Sequence, residues 1–201
     1  MNSKTMTKIN EPNEQRRRFL IATTSFVAGA GLVGVAIPFV QSWNPSAKAK
    51  AAGAPVKVDS GKIESGAMIT VEWQGKPVWV LRRTPDNLKN LTEKSHRTEL
   101  RDPGSEVNQQ PTYAKNEFRS IKEDIFVAVG ICTHLGCVPS YMPDGREAVS
   151  HALYFCPCHG SKFDLAGRVF KGVPAPTNLI IPPHQYLDDG MVEIGADEQT
   201  S

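Results

Sequence analysis

Hydrophobic and polar positions along the chain fall into successive regimes. From Phe19 to Val40 there is no charged residue. As a helix at 1.5 Å per residue this run spans about 33 Å, against about 30 Å of bilayer hydrocarbon. It is longer than the apolar stretch of a secretory signal and predicts a retained transmembrane anchor over 19–40. Ala47-Lys48-Ala49 and Ala49-Lys50-Ala51 fit a loose cleavage pattern, so removal of the segment is the alternative. Residues 41–55 are small, Ala-rich and poor in core formers. They predict a flexible hinge linker with an r.m.s. span of about 21 Å as a coil. Trp43 at its start suits a membrane interface.

From Val56 onward the pattern changes to short apolar runs. Met68–Trp73 and Pro77–Arg83 flank Gln74-Gly75-Lys76 and predict a hairpin. Residues 86–120 are polar, with Pro103-Gly104 and Pro111. They predict a short helix near Leu88–Lys94 and then a long surface excursion. Ile125–Ile131 reads as a buried strand, and Ala152–Phe155, Leu179–Ile181 and Met191–Ile194 as shorter ones. Pro143-Asp144-Gly145 and Asp189-Gly190 are turn signals between them. No segment of useful helical period follows residue 100. The fold class expected is mainly β with antiparallel pairing, in one domain over 56–201.

Charge sharpens the first regime. The 201 residues hold 23 Lys+Arg and 21 Asp+Glu, a net of +2, which excludes polyanion binding by bulk charge and gives no sign of a nucleic-acid partner. The balance is uneven along the chain: residues 1–18 hold five basic and two acidic groups. By the positive-inside tendency this segment stays in the cytoplasm and the rest is exported. Arg16-Arg17-Arg18-Phe19-Leu20 fits the twin-arginine pattern Arg-Arg-x-Phe-Leu. That route carries folded proteins, which suits a cofactor inserted before export. Gly29, Gly31 and Gly34 would let a second helix approach closely.

All four cysteines and two of the five histidines sit in two short boxes, Cys132-Thr133-His134-Leu135-Gly136-Cys137 and Cys156-Pro157-Cys158-His159-Gly160-Ser161. Each follows an apolar strand, so each is a loop at a strand end, and two such loops can close over one metal centre. A zinc site takes four ligands, and here there are six candidates. One cysteine per box is surplus, which is what a disulfide between the loops needs in an oxidising compartment. Two Cys and two His then remain, enough for a two-iron cluster with thiolates on one iron and imidazoles on the other. Neutral imidazoles leave such a cluster less negative, so it accepts an electron more readily.

These boxes resemble those of the Rieske iron–sulfur subunit of the cytochrome bc complex, ubiquinol–cytochrome c oxidoreductase, of the bacterial type. The resemblance extends over nearly the whole chain, from twin-arginine anchor and Ala-rich tether to a β-sandwich domain with a small cluster-binding subdomain at about 130–177. It implies one Rieske 2Fe–2S cluster, with Cys132 and Cys156 as thiolate ligands, His134 and His159 as imidazole ligands, and Cys137–Cys158 as a disulfide. Gly136 and Gly160 would lie beside the ligands. Gly172-Val173-Pro174-Ala175-Pro176 resembles the family's Pro loop. Leu135, His134, Gly172, Pro174 and Pro176 would form an apolar docking rim. Ser161 would donate its hydroxyl to a cluster sulfur. Phe163 stands where many members carry a tyrosine donor, and the missing hydrogen bond is expected to lower the potential.

The mechanism implied is coupled electron and proton uptake. Metal charge favours loss of the outer proton of a ligated imidazole, and reduction reverses this. His159 would accept the hydrogen bond and proton of ubiquinol at a site shared with a cytochrome b subunit. The domain would then swing on 41–55 to a c-type cytochrome subunit. The expected setting is a dimeric complex in the bilayer of the bacterial inner membrane, single-pass, with a cytoplasmic N-terminus and a periplasmic Rieske domain. His96, His151 and His184 lie outside the boxes and are expected at the surface or locally bonded. The competing readings are the Rieske subunit of another periplasmic oxidoreductase, such as arsenite oxidase, and a membrane-tethered zinc-binding module. A soluble oxygenase ferredoxin is disfavoured by the anchor and the surplus cysteines.

Overall fold

A computed structural model describes residues 13–47, 49, 53–146, 149–187 and 190–196. Most of the N-terminal basic segment, part of the linker and Asp189 of the second turn signal lie outside the described residues. The chain divides into two compact units between Ala49 and Lys50.

The first unit is built on one helix, α1 (Glu14–Ser42), which contains the whole uncharged run. Asn13 caps it: its side chain accepts from the backbone N–H of Gln15 and Arg16, satisfying two of the first turn's free donors. None of its side chains is buried, and its length and apolar composition suffice to cross a membrane. Thr23 and Thr24 donate their hydroxyls to the carbonyls of Phe19 and Leu20, so these polar groups are satisfied within the helix.

Among its described residues the second unit has three antiparallel sheets of three strands each, in the orders β1-β9-β8, β2-β3-β4 and β5-β6-β7. The strands are β1 (Val56–Asp59), β2 (Met68–Trp73), β3 (Lys76–Arg82), β4 (Ile125–Val129), β5 (Ser140–Met142), β6 (Leu153–Phe155), β7 (Lys162–Phe163), β8 (His184–Tyr186) and β9 (Met191–Ile194). The hairpin expected around Gln74-Gly75 is β2–β3. Both turn residues have positive φ, 52° and 70°, which matches the right-handed twist of the strands.

The central sheet explains why its strands read as unbroken apolar runs. Side chains alternate across a strand, so β3 and β4 present two faces. Val78, Val80, Ile125, Val127 and Val129 pack on Val58, Val192 and Ile194 of the first sheet. Trp79, Leu81, Phe126 and Ala128 face the other way, onto Tyr154 and Phe163 of the third. Strands covered on both sides lose the usual apolar/polar alternation. On β6, Tyr154 joins that second core while Leu153 and Phe155 pack with Leu100 and Phe170.

Between β3 and β4 runs the polar excursion. It opens with α2 (Pro85–Thr92), earlier than expected, because Thr84 and Asn87 form a capping box with bonds of 3.2 and 3.0 Å. A one-turn helix, α3 (Lys94–Thr98), follows. The excursion is fastened to the segment after β7: Arg101 N–H donates to Val169 O at 2.9 Å, and Lys171 N–H to Glu99 O at 2.8 Å.

Among the described residues three arginines are fully buried. Arg83 donates to the carbonyls of Leu165, Phe118 and Glu123, and Arg119 to those of Ala166 and Leu179. Arg168 pairs with buried Asp164 at 2.7 Å. The fork of a guanidinium lets each tie several loop carbonyls together. Burial pulls both Arg83 and Arg119 down to about 10, still protonated at neutral pH.

Two expectations are corrected here. Leu179–Ile181 is not a strand. It makes single backbone bonds to three separate segments, from Leu179 N–H to Gly167 O, from Val129 N–H to Ile180 O and from Ile181 N–H to Gln109 O, and Pro182-Pro183 then withhold the donors a ladder needs. His96 and His184 are buried rather than at the surface, and His151 is half-buried. His96 Nε2 lies 3.1 Å from Asp164 Oδ2. His184 is held through Nδ1 to Pro182 O and receives Tyr113 against its ring.

Candidate metal centre

The two boxes follow β4 and β6, and their backbones close in the same way. In the first, Cys132 N–H donates to Cys137 O and Gly136 N–H to Cys132 O. In the second, Cys156 N–H donates to Ser161 O and Gly160 N–H to Cys156 O. Gly136 and Gly160 occupy the same place in each loop with φ of +85° and +76°. A Cβ at either would meet nothing within 4 Å, so glycine is required there by the left-handed backbone and not by space.

Cys137 and Cys158 form a disulfide between the loops. Cys132 and Cys156 are free and each 2% exposed. Burial pushes the Cys132 thiol up, while hydrogen bonds from the His134 backbone and the Ser161 side chain act in the opposite direction. Cys156 lies in hydrogen-bond contact with Cys132. The sulfurs of Cys137, Cys156 and Cys158 also lie within 4.8 Å of one another, but two of them are consumed by the disulfide and cannot serve as thiolate ligands.

The imidazoles stand above the thiols in exposure. His159 is exposed and His134 half-buried, with ring centroids 4.8 Å apart and planes at 90°. Leu135, between them in sequence, is 71% exposed, and Val138 is 52% exposed.

The segment 172–176 is tied to both boxes. Ala175 N–H donates to Ser161 Oγ at 3.0 Å, and Thr133 Oγ1 donates to Thr177 O at 2.7 Å. Arg101 Nη2 reaches Val173 O at 2.9 Å from the excursion. Gly172, Pro174 and Pro176 are exposed while Ala175 is buried. Ser161 is buried, so its hydroxyl serves the Pro loop as well as Cys132. Phe163 is fully buried, paired with Tyr154 across β6–β7. Sequence reasoning did not single out Thr133, Arg101 or the buried Asp164. Thr133 lies inside the first box and was legible as a spare hydroxyl; Arg101 reaches a carbonyl 72 residues away and Asp164 meets His96 across 68, which no local pattern marks. The Asp164–Arg168 pair, by contrast, is local and stood four residues apart in the sequence.

The family model described as "Rieske [2Fe-2S] domain" matches residues 55–183. A second, "Ubiquitinol-cytochrome C reductase Fe-S subunit TAT signal", matches residues 6–46, which include the twin-arginine pattern. The ubiquinol-cytochrome c reductase iron-sulfur subunit of Allochromatium vinosum is 54% identical over 189 residues, covering 92% of this chain and 90% of that protein. The subunit of the same name from Rickettsia conorii is 41% identical over 180 residues, covering 90% and 93%. That of Blastochloris viridis is 39% identical over 181 residues, covering 90% and 93%. A helix able to span a membrane, a mainly antiparallel β domain and two disulfide-linked Cys–His loops agree with these matches: the chain belongs to the family of Rieske iron–sulfur subunits of ubiquinol-cytochrome c reductase, electron-transfer proteins with a Rieske [2Fe–2S] domain.

Proposed function

We propose that Cys132 and Cys156 are the thiolate ligands, and His134 and His159 the imidazole ligands, of one 2Fe–2S cluster that works in quinol–cytochrome c reduction. The observation that carries this is the meeting of the boxes: two buried thiols in contact, and two imidazoles 4.8 Å apart at right angles. With Cys137 and Cys158 bonded to each other, no other thiol is available. Two sulfurs and two nitrogens would also suit zinc; the match to a [2Fe–2S] domain favours iron.

When bound, the cluster accepts one electron, and its metal charge favours loss of a proton from an imidazole ligated to it. His159 presents its outer ring nitrogen to a ubiquinol hydroxyl, accepting first a hydrogen bond and then the proton. Leu135, Gly172, Pro174 and Pro176, with His134, form the rim that seats against a cytochrome b subunit and excludes water. Gly136 and Gly160 hold the loops around the ligands, and Ser161 holds the Pro loop while contributing a hydrogen bond to the cysteine sulfur. Phe163 keeps the position beneath dry and without a donor.

Residues 41–55 serve as the hinge linker that lets the β domain move between the quinol site and a c-type cytochrome subunit. Residues 1–18 are cytoplasmic, 19–40 cross the bacterial inner membrane once, and 56–201 are periplasmic, with a cluster-binding subdomain at about 130–177. The parent complex is dimeric. The unburied apolar helix, the basic Arg16–Arg18 and the match to a twin-arginine signal support this placement.

Electron paramagnetic resonance on redox-poised membranes, with and without a quinol-site inhibitor, tests the reading. The expected result is a reduced Rieske signal whose line shape shifts with the inhibitor. A silent chain containing zinc, or a signal indifferent to quinone and inhibitor, would overturn it.

A further inference from the structure

We propose that His96 and His151 form a second site, separate from the cluster, for a divalent transition-metal cation of the zinc class. Their rings lie 4.8 Å apart with planes at 86°, nearly the arrangement of His134 and His159 at 4.8 Å and 90°. The likeness rests on the ligand assignment proposed above; the donor atoms themselves do not. His96 is 5% exposed, and its Nδ1 is buried with no hydrogen-bond partner. His151 Nε2 is likewise buried and unpartnered. Buried polar atoms without a partner mark places for an ion or ordered water, and here two of them belong to adjacent imidazoles.

The surroundings favour the ion. Asp164 Oδ2 accepts from His96 Nε2 at 3.1 Å, and in the neutral ring this leaves the lone pair on Nδ1. A carboxylate behind an imidazole is the usual outer support of a metal-binding histidine, since it orients the ring and raises its basicity. Asp164 is itself fixed by Arg168 Nε at 2.7 Å and by the N–H groups of Ala166 and Arg168. Burial, and after it any proton carried by His96, hold the His151 imidazole below its usual range, although Asp164, Glu99 and Glu93 act against this. The neutral form is the one that ligates. Phe170 borders both rings, with centroids at 5.7 and 6.4 Å, and keeps one side apolar. Two imidazoles select zinc, copper or nickel over magnesium or calcium, and water would complete the coordination. Such a cation would bridge α3 of the excursion to the segment entering β6, the strand that ends at Cys156.

The test uses the full-length, cluster-loaded chain in detergent, dialysed against zinc chloride alone. One zinc per chain is expected to be retained saturably, raising the unfolding temperature without altering the cluster's absorbance. The half-exposed His151 is the safer residue to change: His151→Gln is expected to weaken zinc binding by about tenfold or more, with the cluster spectrum unaltered. X-ray absorption at the zinc edge on the wild-type chain is expected to show imidazole ligation. No saturable zinc below about 1 mM, equal binding by His151→Gln, or sulfur ligation would overturn the proposal; equal binding would place the cation elsewhere, as on the exposed His134–His159 pair.

Discussion

The three loops 132–137, 156–161 and 172–176 and the buried polar group of Arg83, His96, Arg119, Asp164 and Arg168 belong to one domain but are stabilised differently. The loops leave Leu135 71% exposed and set few side chains in a core. They are fastened by a disulfide, by repeated backbone closures and by single hydrogen bonds, one donated by Thr133 and one accepted by Ser161. The buried group has no covalent link. It relies on charge taken out of water, three guanidiniums and an imidazole around one carboxylate and a shell of loop carbonyls, with Arg119 Nε, Arg168 Nη1 and His96 Nδ1 left without a partner. An exposed surface gains rigidity from local fasteners, whereas the interior gains it mainly from partners distant in sequence. Loss of a fastener should therefore act locally, and loss of a buried charge should act on the whole domain.

The largest effect expected is from Asp164→Ala. It leaves Arg168 and His96 without their carboxylate, and breaking a buried pair from one side costs about 3–5 kcal/mol. Denaturant unfolding of the domain should show this loss. The wild-type domain should reveal the same pair through pH. Burial alone would push the Asp164 carboxyl up, but Arg168 and His96 outweigh it and hold the group well below the usual carboxylate range. An unfolded Asp titrates near about 3.9. The folded state thus binds fewer protons, so its contribution is fully present above about pH 4 and is lost as pH falls further. Stability that stays flat to pH 2 would mean that Asp164 is not a working counter-ion.

Next comes the disulfide. Replacing Cys137 and Cys158 together by serine opens a cross-link spanning 21 residues and is expected to cost about 3 kcal/mol. If the fastener acts locally, cluster retention should fall much more than the far-ultraviolet circular dichroism of the domain. Gly136→Ala is smaller, about 1–2 kcal/mol for a left-handed residue gaining a Cβ. Gly160→Ala should match it, since the two loops close alike; thermal unfolding of the pair measures this. Unequal costs would break the equivalence of the boxes. The smallest expected change is electronic. Phe163→Tyr should raise the midpoint potential by about 40 mV if its hydroxyl gains a hydrogen bond worth about 1 kcal/mol more in the reduced state. A redox titration that shows no rise would mean that this position does not reach the sulfur.

Legibility in the sequence followed the same division. The anchor and both boxes are contiguous signals: an uncharged run long enough for a bilayer, and Cys and His residues at close spacing. The Gln74-Gly75 hairpin was readable because its turn chemistry is local. The polar interior was not. Arg83 meets Leu165 across 82 residues and His96 meets Asp164 across 68, and neither looks different from a surface residue in its own neighbourhood. Histidines expected at the surface were buried for that reason. Leu179–Ile181 has the composition of a strand, but its backbone groups go to Gly167, Val129 and Gln109, and the prolines after it stop any ladder.

The most direct measurement is the ligand set of the loaded chain. Isotopic labelling with ¹⁵N-histidine, followed by electron–nuclear double resonance on the reduced protein, should reveal two histidine nitrogens coupled to a cluster of two irons, and thiol titration should find no free cysteine. Coupling to no histidine, or to one alone, would contradict the assignment of His134 and His159 together with Cys132 and Cys156.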